Sequence, residues 1–556
     1  MRRRVRCSRL RPSVDRYAVS VQRTRPTQGL CRLHRRRGVV LIVVLVLVVM
    51  IALAGFGFVN TMSTGYEATK LTGDRMQVQQ AMLSAETYVQ QFVRLSPEER
   101  EALGGLERNE GLFRGVPLRA SLAGTGETAS AVPDDVWQFS VLAPSDLNGE
   151  AEDSLGETSI GGPNFGLHNE SRKLSLAAVL AWELRRPGTG FQALMRLPGM
   201  TPRIADAILD WMDPDPFPRP YGCENEYYGS LPSPYRTANR LPSSLAELLM
   251  VRGVTRELLF GGDANRNFRI DADEQQPIVT ADESSSEQNA EFVPWVRLLT
   301  LHSAERNANG VGLQRVNLNN SNLAELNEQL EQVVTPELAR FAILYRQFGP
   351  SSGTEGVPPT NVALDFANPA RFPITSPADL VDISVTVPGE PSVRVQSPLQ
   401  TGTDLVETLS ALLDETSPVG HRVLRARLNI NTASPIVVRA LPFLSEETAE
   451  QLLIRRETLD ETASRSVVWL LTENILDRET FRLLEPWITA GGDVFECQLV
   501  VFRGSGGPIR RTRVVFDGAS PEPRRVECEN LMSLGRGFSM RTLLRATEAT
   551  LETNLQ

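Results

Sequence analysis

The residues best suited to chemistry lie in one stretch, Asp263-Ala264-Asn265-Arg266-Asn267-Phe268-Arg269-Ile270-Asp271-Ala272-Asp273-Glu274. Oxygen-bearing side chains fall at its positions 1, 3, 5, 9 and 12. This is the EF-hand spacing, in which short carboxylates and amides fold around a hard cation, position seven lends its carbonyl, and the final Glu binds through both oxygens. Calcium is the cofactor this predicts, held by Asp263, Asn265, Asn267, Arg269, Asp271 and Glu274. Phe268 stands where such loops place glycine, and Pro277 stops any long exiting helix, so a single rigidifying loop is expected rather than a paired domain. An Asx-rich surface turn without metal would have a similar composition, because Asp and Asn also bond their own backbone.

A second acidic group, Asp210, Asp213, Asp215, Glu224 and Glu226, brackets a Pro-rich loop that ends in Tyr227-Tyr228. Five converging carboxylates would repel one another without a cation, so a second metal is open here, although the spacing fits no fixed loop. Leu197-Pro198-Gly199-Met200-Thr201 resembles a helix-hairpin-helix turn, whose backbone amides can grip a phosphate. The plain alternative is a helix connection, and Asp206, Asp210 and Asp213 downstream oppose a nucleic acid. No catalytic residue is expected: there is no Gly-x-Ser-x-Gly elbow, P-loop, His-Glu-x-x-His or Cys-x-x-Cys. His34, His168, His302 and His421 are each isolated.

The elements that must position these groups form an internal repeat. Three passages open with a basic residue and an alternating, strand-like tetrad: Lys173-Leu174-Ser175-Leu176, Arg315-Val316-Asn317-Leu318-Asn319 and Arg427-Leu428-Asn429-Ile430-Asn431. Each then reaches a helix start with Ser or Thr at the N-cap and Pro or Glu next, at Thr201-Pro202, Thr335-Pro336 and Ser445-Glu446. Such starts satisfy free backbone donors and preset φ.

Ahead of the repeats, Arg35-Arg36-Arg37-Gly38 runs straight into an apolar stretch, and residues 38–59 are 22 uncharged residues. At 1.5 Å per residue that is about 33 Å of helix, enough to cross a hydrocarbon core of roughly 30 Å. Thirteen Arg against one Asp give the first 38 residues +12, which leaves −21 of the chain's −9 on residues 39–556. The basic leader keeps the N-terminus cytoplasmic and exports the rest, and an acidic exported part disfavours phosphate-backbone binding. Leu71, Val78, Met82, Ala85, Val89 and Phe92 then form a helical stripe that extends the span until Pro97. A strand is expected over 136–142, and a β-hairpin over 494–502 and 509–516, joined by a Gly-rich turn. Residues 275–291 and 349–404 read as solvated linkers, with a strand possible over 380–387. Cys223, Cys497 and Cys528 make no disulfide framework, and a Cys497–Cys528 bridge is open.

A basic leader ending in Gly, a span beginning at the next residue and a helix continuing into a large body together resemble a type IV pilin-like precursor. The segments Ile208-Leu209-Asp210-Trp211-Met212-Asp213, Glu224-Asn225-Glu226-Tyr227-Tyr228, Pro234-Tyr235-Arg236-Thr237-Ala238-Asn239-Arg240, Ser244-Leu245-Ala246-Glu247-Leu248 and Asn429-Ile430-Asn431-Thr432-Ala433-Ser434 look like the large minor pseudopilin of type II secretion, the general secretion pathway protein K family. The resemblance implies an α+β fold, with a pilin-like N-terminal helix packed on a β-sheet and a large inserted α-helical domain. It divides the chain into a leader (1–38), a transmembrane half-helix (39–60), a pilin-like helix and first strands (61–170), the inserted domain (171–426) and the last repeat with the sheet's hairpin (427–556). It also implies cleavage by prepilin peptidase between Gly38 and Val39, with Val39 in place of the Phe that the family usually has at the first mature position. Val43 fills the fifth mature position, where most pilins carry a Glu that pairs with a neighbour's N-terminal amine; a tip subunit has no neighbour above it to pair with. The implied partners are I- and J-type minor pseudopilins, the major pseudopilin and the inner membrane, with no nucleic acid. The alternative is a membrane-anchored, pilin-like DNA-handling protein that uses the hairpin turn.

Overall fold

The computed structural model describes residues 39–118, 136–145, 151–152, 158–159, 163–271, 274, 292–400, 405–460 and 462–544. Gly38, the leader and the whole of the expected linker 275–291 therefore lie outside the described residues. Two compact units are present, one ending at Thr72 and one beginning at Gly73. In the first, helix α1 (Val39–Arg94) begins, and its residues as far as Thr72 are exposed. Among the described residues it is the one helix long and apolar enough to cross a membrane. Where the sequence turns polar, the hydroxyls of Thr61, Thr64, Thr69 and Thr72 donate to carbonyls four residues back, at 2.8–2.9 Å. These polar groups are thus satisfied within the helix.

In the second unit the expected stripe is buried: Val78, Met82, Ala85, Val89 and Phe92 pack in one core with the sheet. Leu71, in the first unit, is exposed. Helix α1 stops at Arg94, and Ser96 with Glu99 forms a capping box over the next helix, which has Pro97 at its first turn. The sheet comprises β1 (Val116–Pro117), β2 (Trp137–Pro144), β3 (Pro163–Phe165), β4 (His168–Asn169), β5 (Val494–Arg503), β6 (Arg510–Asp517) and β7 (Arg524–Asn530). The main path runs β1-β2-β5-β6-β7, with β3 on β2 and β4 on β5. The expected strand and hairpin thus form the middle of the sheet.

Strand alternation gives this sheet two different faces. Phe495, Cys497, Leu499 and Val501 of β5 share the core with α1. The intervening Glu496 and Gln498, and Arg511 and Arg513 of β6, are buried polar groups on the other face. Cys497 and Cys528 are both free. Each is registered opposite Val514, so a whole strand lies between them and they do not bridge.

The three repeats close in the same way. Leu174–Ser175 pairs in parallel with Leu299–Thr300, Val316–Asn317 with Thr416–Ser417, and Leu428–Asn429 with Ile488–Thr489. Parallel pairing requires a long crossover, and the intervening helices supply it. Each closing hydroxyl accepts the amide two residues on: Thr300 from His302 at 3.0 Å, Ser417 from Val419 at 3.3 Å and Thr489 from Gly491 at 3.0 Å. The expected caps are also formed, since Thr201 accepts from Ile204, Thr335 from Leu338 and Ser445 from Thr448. Each such cap is worth about 1 kcal/mol. The first and third repeats share one core, and the second has its own.

Residues 349–400 are not a solvated linker. Ile374, Leu380, Val385, Val395 and Leu399 lie in the core of the second repeat, and Ser384–Val387 pairs with Val393–Gln396. Their sparse apolar anchors are hidden in a composition dominated by Pro, Gly and Ser. The first and third repeats also share a left-handed turn residue, Gly199 in Leu197-Pro198-Gly199 and Phe443 in Leu441-Pro442-Phe443, at φ +68° and +66°. Glycine adopts this conformation freely, whereas phenylalanine meets a Cβ clash of about 1–2 kcal/mol.

Candidate metal centres

In the 263–274 loop the carboxylate of Asp263 accepts the amides of Asn267 (2.9 Å) and Phe268 (2.7 Å). Asp271 Oδ2 accepts both side-chain amides, from Asn265 at 2.7 Å and Asn267 at 2.8 Å. Glu274 reaches back, accepting the Asn265 and Asp271 amides, both at 3.0 Å. Asn267 Oδ1 accepts the amide of Arg269 at 2.9 Å. The five oxygen-bearing residues named from the sequence are therefore brought together around one turn. Phe268 adopts the left-handed conformation that glycine would take, at φ +69°. Its ring packs on the sheet core and lies 6.3 Å from Phe538, and burial of that ring offsets the backbone strain.

Two features fit this loop to a cation. Asn265 Oδ1 is buried without a hydrogen-bond partner. Burial pushes the Asp263 carboxyl up to about 6, against the two amide bonds that favour its charged form. The cationic neighbour is Arg511, which is fully buried and donates to the Asn265 carbonyl at 2.8 Å, to the Arg266 carbonyl and to Gln498 Oε1 at 2.7 Å. Burial holds its guanidinium down at about 10, the charge of Asp263 working in the opposite sense.

The second acidic group is only partly assembled. Asp210 and Asp213 are fully buried and Glu224 nearly so, whereas Asp215 and Glu226 are exposed. Arg219 joins them, its Nη1 lying 3.1 Å from Asp210 Oδ1 and donating also to Asp213. Burial nevertheless pushes Asp210 up to about 6 and raises Asp213 and Glu224. One guanidinium does not compensate the group. Three buried oxygens here have no hydrogen-bond partner: Asp213 Oδ1, Glu224 Oε1 and Asn239 Oδ1. Asn239 donates to the Asp215 carbonyl at 3.0 Å and Thr237 donates to Glu224 at 2.8 Å. The spacing of carboxylates alone did not reveal Asn239 or Arg219. The sequence signals were weak, an Asn in a polar turn three residues before Pro242 and a lone Arg between Pro218 and Pro220; the left-handed φ of Asn239, +46°, is visible only in the structure. Among the described residues no three His, Cys, Asp or Glu side chains form a metal cluster, so both candidate shells depend on amide and carbonyl oxygens as well.

The 197–201 turn is packed inward, with Leu197 and Met200 buried and Trp295 Nε1 donating to the Pro198 carbonyl at 2.8 Å. Of the histidines, His168 is buried on the sheet and His302 Nε2 lies 3.0 Å from Glu527.

A long N-terminal helix whose distal half packs on a sheet carrying a large helical insertion defines an α+β, pilin-like fold. Residues 180–260, which contain the second acidic group, match the family model described as "Type II secretion system (T2SS), protein K". Over those residues the chain is thus similar to protein K. Among similar proteins, type II secretion system protein K of Pectobacterium carotovorum subsp. carotovorum is 30% identical over 117 residues, covering 20% of this chain and 33% of the relative. That of Aeromonas hydrophila is 46% identical over 57 residues, covering 10% and 17%. The chain therefore spans a third or less of the length of the curated relatives it matches. A solved structure, the GspK-GspI-GspJ complex from the enterotoxigenic Escherichia coli Type 2 Secretion System, contains a chain with TM-score 0.32 and 10% identity, over 83% of this chain and 98% of that one.

Proposed function

We propose that the chain is a structural, non-enzymatic minor pseudopilin at the tip of the type II secretion pseudopilus, where it supports filament initiation and export across the outer membrane. The match of residues 180–260 to protein K carries this reading, in a chain whose helix α1 can cross a membrane. The basic residues ahead of the span put the N-terminus in the cytoplasm and the body in the periplasm, with the inner membrane between them. Prepilin peptidase then cuts after Gly38, and Val39 becomes the methylated mature end. N-terminal sequencing should begin at Val39; an intact Met1 in a host with active peptidase would contradict the cleavage. Val43 suits an end position, because an unpaired Glu in an apolar bundle would be costly.

The partners on this reading are I- and J-type minor pseudopilins, with the major pseudopilin below. Val78, Met82, Val89 and Phe92 are already covered by the chain's own sheet, so partner helices meet the exposed Met76 and Leu83 instead. Co-purification of the full-length protein in detergent with I- and J-type subunits tests this. A complex that Leu83→Glu weakens is expected, and failure of the three to associate would overturn it.

Both candidate centres are read as calcium sites. Calcium would neutralise buried carboxylate charge that the protein leaves uncompensated. Asp263, Asn265, Asn267, Asp271, Glu274 and the Arg269 carbonyl would hold it in the loop. Asp213, Glu224 and Asn239 would hold it in the second group, with Arg219 restraining Asp210.

A further inference from the structure

The calcium loop touches two parts of the protein that are remote from it in sequence. It lies on the polar face of the sheet, where Gln498 Nε2 donates to the Arg266 carbonyl at 2.8 Å and Arg511 donates to the Asn265 and Arg266 carbonyls. Arg266 also pairs with Glu529 of β7 at 2.6 Å. On its other side runs the segment 531–544. Asn267 Nδ2, whose other partner is Asp271, donates to the Gly537 carbonyl at 3.0 Å, and Phe538 stands 6.3 Å from Phe268 and 5.0 Å from the Arg511 guanidinium. Gly537 is in the left-handed region at φ +71°, and a Cβ there would come within 2.1 Å of Arg511 Nη1, so the segment crosses the guanidinium as closely as backbone allows. Beyond it the segment is held by the sheet: Ser140 Oγ donates to the Leu543 carbonyl at 2.9 Å and Arg114 donates to the Arg541 carbonyl at 3.1 Å.

We propose that the loop is a calcium-dependent latch that clamps the 531–544 segment across the polar face of the sheet, so that occupancy of the loop governs how firmly that segment closes over Arg511 and Gln498. The inference rests on the calcium reading above. Asn267 carries the coupling, because one side-chain amide group serves the cation-binding turn and the segment at once. Phe268 carries it too, because the strained turn that shapes the loop also aims its ring at Phe538. When the cation leaves, the carboxylates of Asp263, Asp271 and Glu274 repel one another, the turn loosens, and both contacts to the segment loosen with it.

Hydrogen–deuterium exchange on the full-length protein in detergent, with calcium or with chelator, tests the latch. Calcium is expected to slow exchange about tenfold or more in peptides covering both 263–274 and 531–544. Slowing in the loop with an unchanged 531–544 segment would overturn the latch and leave the calcium reading intact. No change in either would overturn the calcium reading and the latch with it. In Phe538→Ala, which touches no candidate ligand, the loop should keep its full response while the segment's response falls by at least half. A full response of the segment in that variant would show that the contact does not transmit, against the proposal.

Discussion

Lys173 Nζ lies 2.7 Å from Glu170 Oε1, both side chains are buried, and the same ammonium donates to Glu496 on the sheet. Arg513 continues the chain of charge from Glu496 to Glu527, which His302 also reaches. The basic residue that opens the first repeat is thus the tie between the inserted domain and the polar face of the sheet. Burial works against the charge on Lys173, and the carboxylates of Glu170 and Glu496 overcome it, holding the ammonium above the usual lysine range. Lys173→Met should destabilise the protein by about 3–5 kcal/mol, because buried Glu170 loses its cation and Glu496 keeps only Arg513. Adding Glu170→Gln should restore part of that. Urea unfolding of the two variants checks this, and a Lys173→Met midpoint equal to wild type would contradict it.

The two sides of α1 should respond differently to charge. Val89 is fully buried against the sheet, and Val89→Asp places an unpaired charge in that core, so a loss of several kcal/mol is expected. Leu83 is 47% exposed, and Leu83→Glu should change stability by about 0.5 kcal/mol or less. Thermal melts of both variants separate the side that folds the protein from the side free for partners.

His168 sets an acid limit. Burial, helped by the charges of Lys173, Arg172 and Arg297, keeps its imidazole neutral well below pH 6.5. The unfolded chain takes up a proton near 6.5 and the folded one does not, so this contribution is complete above 6.5 and is lost as pH falls toward the folded value. The slope is about 1.4 kcal/mol per pH unit at most. His168→Gln should flatten the stability curve between pH 6.5 and 5.5, as measured by urea midpoints; an unchanged slope would count against it.

Calcium should stabilise the folded protein by about 2.7 kcal/mol at a hundredfold excess over its dissociation constant. Asp263→Ala with Glu274→Ala should remove most of the calcium-dependent shift in melting temperature. An identical wild-type melt in calcium and chelator would remove the idea.

What the sequence showed followed from how local each signal was. Thr201, Thr335 and Ser445 cap as expected because a cap is decided within four residues. The 263–274 turn was legible for the same reason, and even Phe268 in place of glycine did not prevent it. The stripe on α1 was visible, but periodicity cannot say whether a buried face meets the chain's own sheet or another subunit's helix. Arg511 and Glu496 were missed because Asn265 and Lys173, their partners, lie far away in sequence, and a charged residue in a strand reads as solvated until a second layer is seen to cover it. Residues 349–400 were misjudged because five buried apolar side chains were enough to fix a segment rich in Pro, Gly and Ser.

On the proposed tip role, one copy of the chain stands at the end of each filament. A bulky inserted domain on every subunit would crowd a filament whose N-terminal helices pack along its axis, whereas a single terminal copy avoids that clash. Gold labelling of an epitope-tagged, export-competent version on sheared pseudopili tests it most directly. One label at one end of each filament is the result this account predicts; labels at regular intervals along the length would contradict it.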